Sequence, residues 1–173
     1  MKKIYLAGPD VFLPDAIDEG SKLKGLCTDY GFEGYFPLDN VLDGANANEL
    51  ATNIREANIK MIQNCDIVLA NLSPFRGPEP DSGTVWEVGY AQGINKLVVA
   101  YSTDTRTLKE KTQEMLKLGN VARDTNDMEI EDFGLTHNLM FANIVIGKDF
   151  EECLKYLQTI KYNGLKNQDN FSA

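Results

Sequence analysis

Short apolar runs alternate along the chain with longer stretches in which apolar residues recur every three or four positions. Such alternation predicts a parallel sheet carrying helices on its faces. IYLA (4–7) reads as a first strand, Pro14 to about Tyr30 as a helix opened by proline and closed near Gly31, and FEGYF (32–36) as a short second strand stopped by Pro37. From Asn48 to Asn64 the residues Leu50, Ile54, Ala57, Met61 and Ile62 fall on one helical face. DIVLANL (66–72) follows as a buried strand, Thr84 to about Ile94 as a helix and KLVVAY (96–101) as a strand. Thr107 to Leu118 and Phe150 to Ile160 read as further helices, the last one amphipathic. Gly119 to Thr136 is polar and acidic, and a loop of that length inside a domain is more often functional or mobile than idle. The expected organisation is one domain over 1–162 and a polar tail, 163–173, that stays loose unless something docks it.

Composition narrows the class. A chain of 173 residues, 43% hydrophobic and 25% charged, can bury one sizeable core and is short for two. Its apolar runs, such as IVLA at 67–70 and LVVAY at 97–101, fall far short of the roughly 20 residues a membrane helix needs. MKK leads straight into the first strand without a cleavage site, so a cytoplasmic protein with no membrane partner is expected. Three widely spaced cysteines in apolar settings, Cys27, Cys65 and Cys153, support neither a disulfide framework nor a zinc site, and no metal is expected. The net charge of −9, with no cluster of Lys and Arg interleaved with aromatics, argues against a nucleic-acid partner. A small phosphate is not excluded, because a nest of backbone N–H groups can hold one on an acidic protein.

In an open parallel sheet, ligands bind outside the carboxyl ends of the strands. Two loops meet there: AGPDVFLPD after the first strand, and NLSPFRGPEPDSGT after the third, stiffened by Pro74, Pro78 and Pro80. The second loop runs into DSGTVWEVGYAQG, residues 81–93. Asp81, Ser82 and Thr84 are good helix caps and Gly83 permits close backbone approach, so the helix starts here and aims free N–H groups at the crevice. Glu87 is then expected in the first turn, where the helix dipole favours its ionised form by about 0.3–1 kcal/mol. Two readings of Glu87 stand: a carboxylate that reaches back to cap its own helix, or one displayed to the crevice by a helix that Gly83, Gly89 and Ala91 let sit close to the sheet.

IYLAGPDVF, then FRGPEPDSGTVWEVGYAQG, then NLM at 138–140 resemble the nucleoside 2-deoxyribosyltransferase family, over Ile4 to at least Met140. The resemblance implies a flavodoxin-like, doubly wound α/β sheet of about five mostly parallel strands. It further implies exchange of the base of a 2′-deoxyribonucleoside for another free nucleobase, with no metal or organic cofactor. Glu87 matches the family's nucleophile, Tyr5 the tyrosine that orients it, and Asp81 an aspartate of the pocket that positions substrate. Gly8, Phe12 and Gly83 fall on substrate-binding positions, and Asn58 on a base-contacting one. Asn138 and Met140 match a segment that enters a neighbouring subunit's pocket, which implies a homo-oligomer with shared sites. Taken without the resemblance, Tyr5 is a core aromatic and Asn58 a surface amide. His137, the only histidine, reads as a local loop residue.

Two other functions remain open on sequence. A hydrolase of 2′-deoxynucleoside 5′-monophosphates shares this fold and the glutamate, but its first loop is expected to be basic and here carries Asp10; Arg76 is the one cation that speaks for it. A non-catalytic nucleoside sensor needs neither Glu87 nor a shared pocket.

Overall fold

Buried strands need apolar residues on both faces, and the chain supplies them in pairs that point opposite ways. The computed structural model describes residues 1–40 and 42–169, the side chains of 161–169 excepted. The strands are β1 (Lys2–Ala7), β2 (Phe32–Tyr35), β3 (Ile67–Asn71), β4 (Leu97–Tyr101) and β5 (Val145–Gly147). They form one sheet in the order β2-β1-β3-β4-β5, every pair parallel. The helices are α1 (Ala16–Asp29), α2 (Ala47–Asn64), α3 (Ser82–Gly93), α4 (Leu108–Met115) and α5 (Phe150–Asp169). This is the flavodoxin-like, doubly wound arrangement, with its switch point between β1 and β3.

Alternation along the strands divides the core in two. Ile4, Leu6, Ile67, Leu69, Val99 and Tyr101 face α1 and α5, packing on Leu23, Cys27, Cys153 and Leu154. Tyr5, Ala7, Val68, Ala70, Val98 and Ala100 face α2 and α3, packing on Ile62, Val88 and Ala91. All three cysteines are buried and unpaired. Among the described residues no helix is long and apolar enough to cross a membrane, and no group of three or more His, Cys, Asp or Glu could hold a metal ion.

Local chemistry sets the helix ends. Gly31, at φ 78°, closes α1 with its N–H on Thr28 O, as the chain's glycine signal predicts. Asn46 caps α2 by accepting from Glu49 N, and Thr107 with Glu110 forms a reciprocal capping box on α4.

Three expectations need correction. The fifth strand, Val145–Gly147, lies in a stretch that had no predicted element; it is short, at the sheet edge, and slips register against Ala100 and Tyr101. The helix α5 runs on to Asp169, past the predicted stop at Ile160; residues 170–173 lie outside the described ones. Of the small residues expected to seat α3 on the sheet, only Ala91 is buried; Gly83 and Gly89 are exposed.

Candidate active site

The turn after β1 starts at Gly8 and continues as a 3₁₀ turn, Pro9–Phe12. The loop after β3 is tied down at both ends: Ser73 N donates to Asn71 Oδ1 at 3.1 Å, and Phe75 N to Glu79 O at 2.9 Å. Its tip is Arg76, in the left-handed region at φ 56°. Asp81 then caps α3, with Oδ2 accepting from Thr84 N at 2.9 Å and Thr84 Oγ1 at 3.1 Å.

Together with α2 and the segment after β2, these elements enclose a cavity of about 470 Å³. Gly8, Phe12, Asn58, Asp81, Gly83 and Glu87 all line it. Leu38, Leu42, Leu50 and Ile54 supply an apolar wall that the two-loop expectation did not include. Phe12 at the rim stacks on Phe75, ring centroids 5.3 Å apart, and the Arg76 guanidinium lies over both rings.

Glu87 is the sixth residue of α3, which puts it in the second turn rather than the first. The helix dipole fades beyond the first turn, and the N-terminal cap is Asp81, so both the dipole argument and the self-capping reading fail. The rotation of the helix sends Val88 into the core and leaves Trp86 45% exposed, with Glu87 between them at the cavity wall. Two other elements meet its carboxylate. The hydroxyl of Tyr5, on the sheet face covered by α2 and α3, donates to Glu87 Oε1 at 2.6 Å. Asn58 of α2 donates from Nδ2 to the same oxygen at 3.4 Å. Among the described residues no protein donor bonds Oε2.

Burial raises the Glu87 carboxyl from its ordinary 4.5 to about 7; the bonds from Tyr5 and Asn58 pull the other way, and the charge of Asp81 adds to the rise. Burial and the neighbouring Glu87 push the Tyr5 hydroxyl far up, so Tyr5 is a fixed donor. Asn58 is neither a surface amide nor free to turn both ways, because its Nδ2 is committed to Glu87; its Oδ1 is buried with no partner. The contact between Asn58 and Glu87 carried no sequence signal.

Asp10 also had no predicted structural partner. Its carboxylate accepts from Asn71 Nδ2 at 3.1 and 3.2 Å, tying the turn after β1 to the end of β3. Gly8 makes that possible: a Cβ there would fall 2.3 Å from Asp10 Oδ2 and 2.9 Å from Asn71 Cβ. The variant Gly8→Ala is expected to break the Asp10–Asn71 bonds and cost about 1 kcal/mol, a drop of about 2–4 °C in the unfolding midpoint measured by circular dichroism.

Asn138 and Met140 do not line this cavity; they sit in the turn before β5, where Met140 is 74% exposed. His137 is no simple loop residue. It is 2% exposed, and its Nε2 meets Leu72 O at 2.7 Å, so that nitrogen carries the proton, while Nδ1 faces Thr136 Oγ1 at 2.9 Å. Burial lowers its pKa, and it acts as a neutral clamp between this turn and the end of β3.

A sequence profile described as nucleoside 2-deoxyribosyltransferase matches residues 4–140. The chain belongs to the nucleoside 2-deoxyribosyltransferase family. Among solved structures it resembles the 2-desoxiribosyltransferase from Leishmania mexicana, 35% identical with TM-score 0.74, covering 92% of this chain and 98% of that one. A conserved protein from Enterococcus faecalis, 23% identical with TM-score 0.56 over 90% of this chain and 96% of that one, shares the fold. An uncharacterized protein of Schizosaccharomyces pombe is 36% identical over 118 residues, 66% of this chain. The chain spans only 56% of the length of that relative.

Proposed function

We propose that the protein exchanges the base of 2′-deoxyribonucleosides for another purine or pyrimidine through a covalent deoxyribosyl ester on Glu87. The observation that carries this reading is the Glu87 carboxylate itself, held through Oε1 by Tyr5 and Asn58 and left with Oε2 uncommitted at the wall of a nucleoside-sized cavity. Oε2 attacks C1′ and the C1′–N bond breaks, its electron pair leaving on the base nitrogen. Asp81 positions the base and relays the proton that the departing nitrogen takes. An incoming base then attacks C1′ from the vacated face, its ring N–H proton passes back by way of Asp81, and the C1′–Oε2 bond breaks to free the carboxylate. Two inversions give retention, the logic of a carboxylate nucleophile in retaining glycosidases.

Only ionised Glu87 attacks. With its pKa at about 7, kcat/KM is expected to fall about tenfold per pH unit below that point and to level off above it. Initial rates across pH 5–9 check this, and a rate flat down to pH 5 contradicts it.

The reading is tested by chromatography of the protein with 2′-deoxyinosine, alone and with excess adenine or cytosine. A new deoxynucleoside only in the presence of acceptor supports exchange; free base released equally fast without acceptor assigns water as the acceptor. Against a 5′-monophosphate substrate stands the lining of the cavity, which has carboxylates and, among the described residues, no Lys or Arg. Arg76 lies over the Phe12–Phe75 stack and is not among the residues that line the cavity. We further read Asn138 and Met140 as completing the cavity of a second copy, with the Asn138 amide meeting sugar hydroxyls.

A further inference from the structure

The acidic segment 119–136 has no part in the reaction described above, yet one of its side chains grips the turn that carries Asn138. Glu131 Oε2 accepts from Asn138 Nδ2 at 2.7 Å, and Glu131 Oε1 accepts from Leu139 N at 2.7 Å. Bonds to an ionised acceptor are short and about twice as strong as neutral ones. Asn138 is committed at its other end too, since Oδ1 accepts from Met140 N at 3.1 Å. The amide therefore has one allowed orientation: turned over, it would set its oxygen against the Glu131 carboxylate and its NH₂ against the Met140 N–H.

The same turn is anchored on both sides. His137 is fixed to Leu72 O, and Phe141, 9% exposed, meets the His137 ring edge-on at 5.9 Å. Between these anchors Leu139 and Met140 are pushed outward, 46% and 74% exposed. Anchoring sets the position of the turn, but neither anchor touches the Asn138 amide.

We propose that Glu131 is a positioning residue for the proposed reaction: it locks the Asn138 amide so that its second N–H and the second lone pair of Oδ1 face outward to bind a sugar hydroxyl in a second copy's cavity. This rests on the shared-cavity reading above. It also gives the acidic segment a task, which is to deliver one carboxylate to the base of the projecting turn.

The variant Glu131→Gln keeps the shape but can accept only one of the two donors, and its own NH₂ then opposes the other. It is expected to raise KM for 2′-deoxyinosine about tenfold at saturating adenine, with kcat changed much less. Asn138→Ala is expected to show the same split, and the double variant to be no worse than Asn138→Ala alone. Losses that add in the double variant overturn the proposal, because Glu131 then acts elsewhere. A silent Glu131→Gln beside an impaired Asn138→Ala overturns the clamp and leaves the shared cavity standing. A silent Asn138→Ala overturns both, since Glu131 then has nothing to position.

Discussion

Replacing Glu87 by Gln is expected to lower base exchange by ~10⁴-fold or more, because an amide cannot form the ester on which both displacements depend. The same change is expected to make the protein more stable at high pH. The folded carboxyl titrates at about 7 and the unfolded one near 4.5, so between those values the native state holds a proton that the unfolded chain has released. Stability attached to this group is therefore present below pH 4.5 and is lost as pH rises through 7. Gln is neutral throughout and can still accept from Tyr5 and Asn58. At pH 8 the variant is expected to gain on the order of 1–3 kcal/mol, with little difference at pH 4.5. Thermal unfolding at the two pH values checks this; a variant less stable at pH 8 would show that the buried charge is better compensated than the geometry indicates.

Tyr5→Phe removes the shorter of the two bonds to Glu87 Oε1, at 2.6 Å, and leaves the ring in its fully buried place on β1. That bond favours the ionised carboxylate, so its loss moves the Glu87 pKa further above 7. Exchange at pH 7 is expected to fall about 10- to 100-fold, partly from less ionised nucleophile and partly from a carboxylate no longer aimed. The first part returns as pH rises toward 9 and the second does not. An acid limb that stays where it is in the unaltered protein would mean that Tyr5 is only a core aromatic.

Strands β1, β3 and β4 were legible in the sequence because they are buried on both faces and so appear as unbroken apolar runs, and Gly31 marks the end of α1 chemically. The edge strand β5 was not, since three residues carry too little pattern to separate them from the turn before them. Glu87 and Asp81 stood out as polar residues in a stretch otherwise suited to burial. The second-turn placement of Glu87 followed from Asp81, rather than Ser82 or Thr84, taking the cap, a choice among three good caps that residue type alone does not make. The contacts of Asn58 with Glu87, of Asp10 with Asn71 and of Glu131 with Asn138 depend on how helices and loops lie across the sheet. Such separations along the chain leave no local periodicity to read.

The central claim is that deoxyribose passes through Glu87. Mass spectrometry of the protein quenched after mixing with 2′-deoxyinosine, without acceptor, measures this directly. The expected result is one added deoxyribosyl group on the peptide that carries Glu87, discharged when adenine is supplied and absent in Glu87→Gln. Exchange that proceeds with no adduct, or with the sugar on another residue, would contradict it.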